Sequence, residues 1–133
     1  MRNRAEIARE WFEKGRHDIE GARLLFNAEH YTDTIGILIQ QAIEKYLKGF
    51  LIYHGWKLEK IHDLVRLLAE AVRYRADLGE FEDRCRHISE YYFEGRYPGR
   101  MSVQYPRKEI KESLEVAETI INKVTEQIKK SKP

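Results

Sequence analysis

The stretch that decides the fold runs Tyr31-Thr-Asp-Thr-Ile-Gly-Ile-Leu-Ile-Gln-Gln-Ala-Ile-Glu-Lys-Tyr-Leu-Lys-Gly-Phe-Leu-Ile-Tyr-His-Gly55. Ile35, Leu38, Ile39, Ala42, Ile43, Tyr46, Leu47 and Phe50 recur at steps of three and four, which sets a broad apolar stripe along one helix. Thr32 or Asp33 is placed to cap its start. Gly55 is placed to end it. Gln41, Glu44, Lys45 and Lys48 fall together on an adjacent polar stripe. Glu44 and Lys48 are spaced for an i to i+4 ion pair, and a solvated face is the simplest reading of the stripe. Burial in a cleft between two copies of the chain is the sharper one.

The same periodicity extends in both directions. Upstream, Ala5, Ala8, Phe12, Gly15, Ile19, Ala22 and Phe26 predict a helix from near Arg4 to near Asn27. Gly15 and Gly21 lower its propensity but permit a close helix crossing. Downstream, Trp56 to Ile61 is a connector. A shorter helix is expected from His62 to Arg75, carrying Leu64, Leu67, Leu68, Ala71 and Val72 inward. Another is expected from Asp77 to Glu94, with Leu78, Phe81, Cys85, Ile88 and Tyr92 as its stripe. A last helix starts near Pro106, a residue suited to a first turn. Its stripe is Ile110, Leu114, Ala117, Ile121, Val124 and Ile128. No strand-like alternation competes. We therefore expect an all-α fold, an antiparallel up-and-down bundle of four to five helices, in a single domain over residues 1–133.

Composition narrows the function classes. Hydrophobic residues at 42% and charged residues at 35% fit a packed core inside a charged shell. The single cysteine, Cys85, excludes an intrachain disulfide and a cysteine-based zinc cluster, and its place on an apolar stripe marks it as core. Neither a polar-then-apolar leader nor an apolar run of membrane-spanning length occurs, so a cytoplasmic protein is expected. There is no glycine-rich phosphate loop, nucleophile elbow or HExxH motif. No cofactor and no metal are expected.

Charge is uneven although the net value is only +2. Residues 1–83 carry 13 Lys/Arg against 15 Asp/Glu, residues 84–108 six against two, and residues 109–133 five against five. The local excess points to an anionic ligand such as a phosphate backbone. Within that segment Arg84, Arg96 and Arg100 offer forked donors that match phosphate oxygens. Tyr91 and Tyr97 offer rings for base stacking. His87 is a group that moves protons near neutral pH. Arg84, His87 and Tyr91 lie three and four apart and share one helix face. Lys45 and Lys48 are further candidate contacts to nucleotide or RNA. Against this stands the bland alternative, in which the arginines pair with carboxylates of neighbouring helices. Asp18, beside Ile19, is suited to orient a lysine or arginine across the bundle. In His62-Asp63-Leu64, Asp63 or His62 reads as a helix cap.

Taken together, these residues resemble the HEPN family of small helical domains, from about Ala8 to Val124. The resemblance is carried by Asp18 with Ala22 and Leu25, by Gln41-Ala42-Ile43-Glu44-Lys45 with Leu47-Lys48, by His62-Asp63-Leu64, and by Arg96-Tyr97-Pro98. It implies an antiparallel bundle of four or five helices that forms a homodimer. It also implies a nucleotidyltransferase partner, as in toxin–antitoxin pairs. Active relatives are metal-independent ribonucleases whose signature is an arginine, four to six residues, then a histidine, late in the bundle. Here Arg84 precedes His87 by only three positions, and no histidine follows Arg96 or Arg100. Arg23 and His30 have the spacing, but at the end of the first helix. The expected function is thus a nucleotide- or RNA-binding domain that dimerises and serves a nucleotidyltransferase. The alternatives are a ribonuclease with an altered site built on His87 and Arg96, and a non-catalytic adaptor bundle.

Overall fold

Fifteen of the 22 residues of one helix are buried, against four of the 24 in the helix before it. The computed structural model, which describes residues 2–94 and 104–130, is organised around that difference. Helix α1 spans Arg4–Asn27, α2 Thr32–Tyr53, α3 Leu64–Ala71, α4 Glu82–Glu94 and α5 Arg107–Lys130. A short 3-10 helix, Ala76–Phe81, leads into α4. There is no strand among the described residues. The buried helix is α2, which packs against all four other α-helices and shares its largest interface with α1.

The α1–α2 pair runs antiparallel, since Gly15 lies against Tyr46 and Ala42 while Gly49 lies against Ala8 and Phe12. A Cβ on Gly15 would sit 2.7 Å from the Tyr46 ring, and one on Gly49 3.0 Å from the Ala8 carbonyl oxygen. Missing side chains therefore bring the backbones together, as expected for Gly15. Gly21 is different, because a Cβ there makes ordinary contact with Leu38 at 3.7 Å. Phe12 and Tyr46 stack at 5.2 Å across the same seam.

The predicted apolar stripes hold the core. Ile35, Ile39, Ala42, Ile43, Leu47 and Phe50 are fully buried, as are Leu64, Leu67, Ala71, Leu78, Cys85 and Ile88. On α5, Ile110, Ala117, Ile120 and Val124 close the bundle. The exception is α4, where Tyr91 rather than Tyr92 turns inward. A 3-10 turn advances faster around its axis than an α-turn. It occupies 76–81, where a continuous α-helix was expected, yet Cys85 and Ile88 after it keep their expected inward positions.

The helix ends correct two expectations. The N-cap of α2 is Tyr31, with no side-chain bond. Thr32 donates instead, through its N–H and its hydroxyl, to Oε1 of Gln104 at 3.1 and 3.2 Å. Among the described residues, Asp33 accepts from the neighbouring Thr34 N–H and caps no helix N–H further on. A residue far off in sequence does the capping, which no local pattern announces. At the other end Gly55, at φ +96°, donates to Ile52 and the Trp56 N–H to Leu51, a Schellman arrangement that stops α2 where expected. Helix α3 is shorter than the expected 62–75. Asp63 caps it through the Val65 N–H, and turns take over after Ala71. Among the described residues no helix is long and apolar enough to cross a membrane.

Candidate functional site

Helices α4 and α5 run antiparallel and leave a cleft of about 480 Å³ lined by Arg84, His87, Pro106, Lys108, Glu109 and Glu112. Arg84 and His87 come from one face of α4, as their spacing predicts. Lys108, Glu109 and Glu112 come from the first turns of α5, facing them. His87 Nε2 lies 3.0 Å from Glu109 Oε2, and the imidazole is half-exposed. Tyr91 donates to the same Glu109 oxygen at 2.8 Å, and its hydroxyl lies 3.0 Å from Ser113 Oγ. Arg84 reaches Ser113 Oγ at 3.4 Å and Glu112 Oε2 at 3.7 Å. Its Nε is buried and donates to nothing among the described residues.

Charge in this cleft is mixed. Burial pushes the Tyr91 phenol well above its ordinary range, and the Glu109 carboxylate adds to the push. Tyr91 therefore stays protonated, and its hydrogen helps fix Glu109 beneath His87. With only 1% of its surface exposed, Tyr91 cannot present a ring to a nucleobase. This corrects its expected role in stacking. Glu109 and Ser113 were missed in the sequence, though their i to i+4 spacing at the start of α5, opposite a histidine and an arginine, is a usable signal. Arg96, Tyr97 and Arg100 lie outside the described residues.

The polar stripe of α2 is not a solvated face. Glu44 and Lys48 are paired at 3.0 Å with side chains only 5% exposed. Glu44 Oε1 lies 3.0 Å from His62 Nδ1 and accepts from Gln40 Nε2 at 3.1 Å. Gln40 also donates to the His62 carbonyl at 2.9 Å. The His62 ring stacks on Tyr92 at 4.4 Å. So His62 is no helix cap; it closes a polar network inside one chain. The reason is the position of α2: a central helix has neighbours on every side, so even its polar stripe is covered, and buried charge survives only when paired. Gln41 donates to Gln40 at 2.7 Å. Lys45 pairs with Asp18 at 2.6 Å, the cross-bundle contact expected of that carboxylate. Lys48, spent on Glu44, is not a free cation for a ligand. Arg23, of the Arg23/His30 pair, contacts Glu118. Among the described residues no group of His, Cys, Asp or Glu is placed to hold a metal ion.

The sequence model of the HEPN domain matches residues 8–128. The chain belongs to the HEPN domain family. Among solved structures, the crystal structure of TT1696 from Thermus thermophilus is similar, at 29% sequence identity and a TM-score of 0.75, over 90% of this chain and 96% of that one. No curated protein matches at a significant level. Of the residues that carry the HEPN resemblance, Asp18, Glu44, Lys45, Lys48, His62 and Asp63 hold this HEPN bundle together, and Arg96, Tyr97 and Pro98 lie outside the described residues. The α4–α5 cleft is built from other residues beside them.

Proposed function

We propose that this HEPN domain binds nucleotide or RNA at the α4–α5 cleft, as a homodimer that serves a nucleotidyltransferase in a toxin–antitoxin-like pair. The observation that carries the binding reading is the Arg84–His87–Lys108 side of the cleft, where the part-exposed Arg84 guanidinium is held, among the described residues, only by long contacts of 3.4 Å to Ser113 and 3.7 Å to Glu112. A phosphate oxygen is the acceptor that a guanidinium fork fits best. Arg96, Tyr97 and Arg100 follow α4 in sequence and are assigned to the same ligand. Dimerisation and the nucleotidyltransferase partner rest on family membership alone. Titrating a short single-stranded RNA into the protein tests the binding reading. Binding that weakens with salt and in Arg84→Gln is expected; no measurable binding at low salt contradicts it. Reading the neighbouring gene tests the partner: a nucleotidyltransferase there that co-purifies on co-expression supports it, and a neighbour of another kind that does not co-purify contradicts it.

A second reading, a metal-independent ribonuclease, is favoured by the 3.0 Å contact of His87 Nε2 with Glu109. A carboxylate that orients an imidazole is a recurrent general acid–base arrangement. In that case His87 would shuttle the proton and Arg96 would contact the phosphate. Labelled RNA incubated with the protein in EDTA separates the readings. Cleavage lost in His87→Ala supports the enzyme; intact RNA leaves a binding domain.

A further inference from the structure

We propose that Glu112, with Glu109 beside it, sets the specificity of the α4–α5 cleft, reducing the electrostatic advantage that a doubly charged terminal phosphate would have over the singly charged phosphodiesters of a polynucleotide. This rests on the binding reading above.

The cleft brings its own anions. Arg84 faces Glu112 at 3.7 Å and His87 faces Glu109 at 3.0 Å, while Lys108 lines the same space. Among the described residues, these five groups sum to a single positive charge with His87 protonated and to none with it neutral. A ligand phosphate that reaches Arg84 must enter beside both carboxylates. Repulsion between like charges grows in proportion to the ligand's charge. A terminal phosphate monoester carries nearly two negative charges near neutral pH. It meets about twice the repulsion of an internal diester, which carries one. The attraction from Arg84 and Lys108 is offset to the same degree. Glu112 therefore costs a monoester about twice what it costs a diester, whatever other cations join the ligand, while the guanidinium fork still hydrogen-bonds a diester.

The two carboxylates are not equivalent. Glu109 is tied to both His87 and Tyr91, so it cannot move without releasing them. Glu112 is half-exposed and holds Arg84 only at 3.7 Å, longer than a hydrogen bond. It is the one that yields when a phosphate arrives, and the one whose removal changes the charge without disturbing the packing.

The experiment compares two probes, octauridylate with a 5′-hydroxyl, which has only diesters, and 5′-AMP, which has a terminal monoester. Each is titrated against wild type, Glu112→Gln, Arg84→Gln and a control, Glu115→Gln. The control removes the same charge from α5 outside this cleft. Glu112→Gln is expected to tighten 5′-AMP binding about tenfold and octauridylate binding about threefold or less, while Glu115→Gln changes neither ratio. If octauridylate binds through Arg84 but Glu112→Gln leaves the ratio of the two affinities unchanged, the specificity assignment is overturned and the binding reading stands. If neither probe binds wild type or Glu112→Gln, the binding reading itself falls, and this inference with it. Glu112 is exposed, so thermal melts of Glu112→Gln should match wild type.

Discussion

Lys48 and Glu44 show how a residue's meaning depends on what covers it. Four positions apart on a helix, they looked like a surface pair worth a few tenths of a kcal/mol. Buried, they are a different interaction, because a lone charge left in the interior is costly. Lys48→Met should lower stability by about 3 kcal/mol in urea unfolding. Pairing it with Glu44→Gln should cost less than the sum of the two single changes. Strict additivity would argue that the pair is hydrated rather than buried. Close packing makes a second demand at Gly15, where a methyl would overlap the Tyr46 ring. Gly15→Ala should cost about 1–3 kcal/mol although alanine favours helix. An unchanged or raised melting temperature would contradict the tight α1–α2 crossing. Cys85 offers a simpler check, since burial pushes its thiol up to about 12. It should resist a thiol reagent at pH 8 in the native protein and react fully in denaturant. Rapid native labelling would contradict its core position.

At the scale of elements, the helices were legible because their periods were long and unbroken. Helices α1, α2 and α5 lie within a residue or so of where the apolar stripes put them. Less legible were the places where distant residues decide. Gln104 caps α2 across the bundle, and Ser89 accepts the Leu64 N–H at 2.9 Å at the start of α3. Neither contact has a signature within the helix it serves. Tyr91, not Tyr92, turns inward by the same kind of tertiary choice, its hydroxyl meeting Glu109 and Ser113 of α5. The site was half visible: the spacing of Arg84 and His87 on α4 was clear, but Glu109, Glu112 and Ser113 belong to a helix read only for its stripe. The end of α2 carries a pH-dependent feature. His54 stacks on Tyr74 at 4.1 Å and meets Phe50 and Tyr53 edge-on, with its Nε2 buried and without a hydrogen-bond partner among the described residues. Burial holds its pKa below the ordinary 6.5. The unfolded chain then binds the proton more readily, so this contribution is complete above about pH 6.5 and is lost as pH falls through that value toward the depressed one. Unfolding free energies of wild type and His54→Asn, compared between pH 7.5 and 5, should converge on the acid side. A constant difference across that range would contradict a neutral, buried His54.

For the whole molecule, the fold separates two tasks. Helix α2 spends its polar residues on internal pairing, and the α4–α5 cleft exposes the groups suited to an anion. A mixed-charge cleft on a chain of net charge +2 predicts modest rather than tight nucleic-acid binding, with a salt slope set by a few phosphate contacts. The proposed homodimer predicts elution near twice the monomer mass, 15.9 kDa, at micromolar concentration. A sharp monomer peak would remove it without touching the cleft. The cleft itself is tested most directly by the salt dependence of binding to a short single-stranded RNA, measured for wild type and Arg84→Gln. If Arg84 contacts a phosphate, the variant binds more weakly at every salt concentration. The slope of log affinity against log salt is then shallower by about 0.7, the loss of one phosphate contact. Equal affinities and equal slopes would contradict the assignment of the α4–α5 cleft as the binding site.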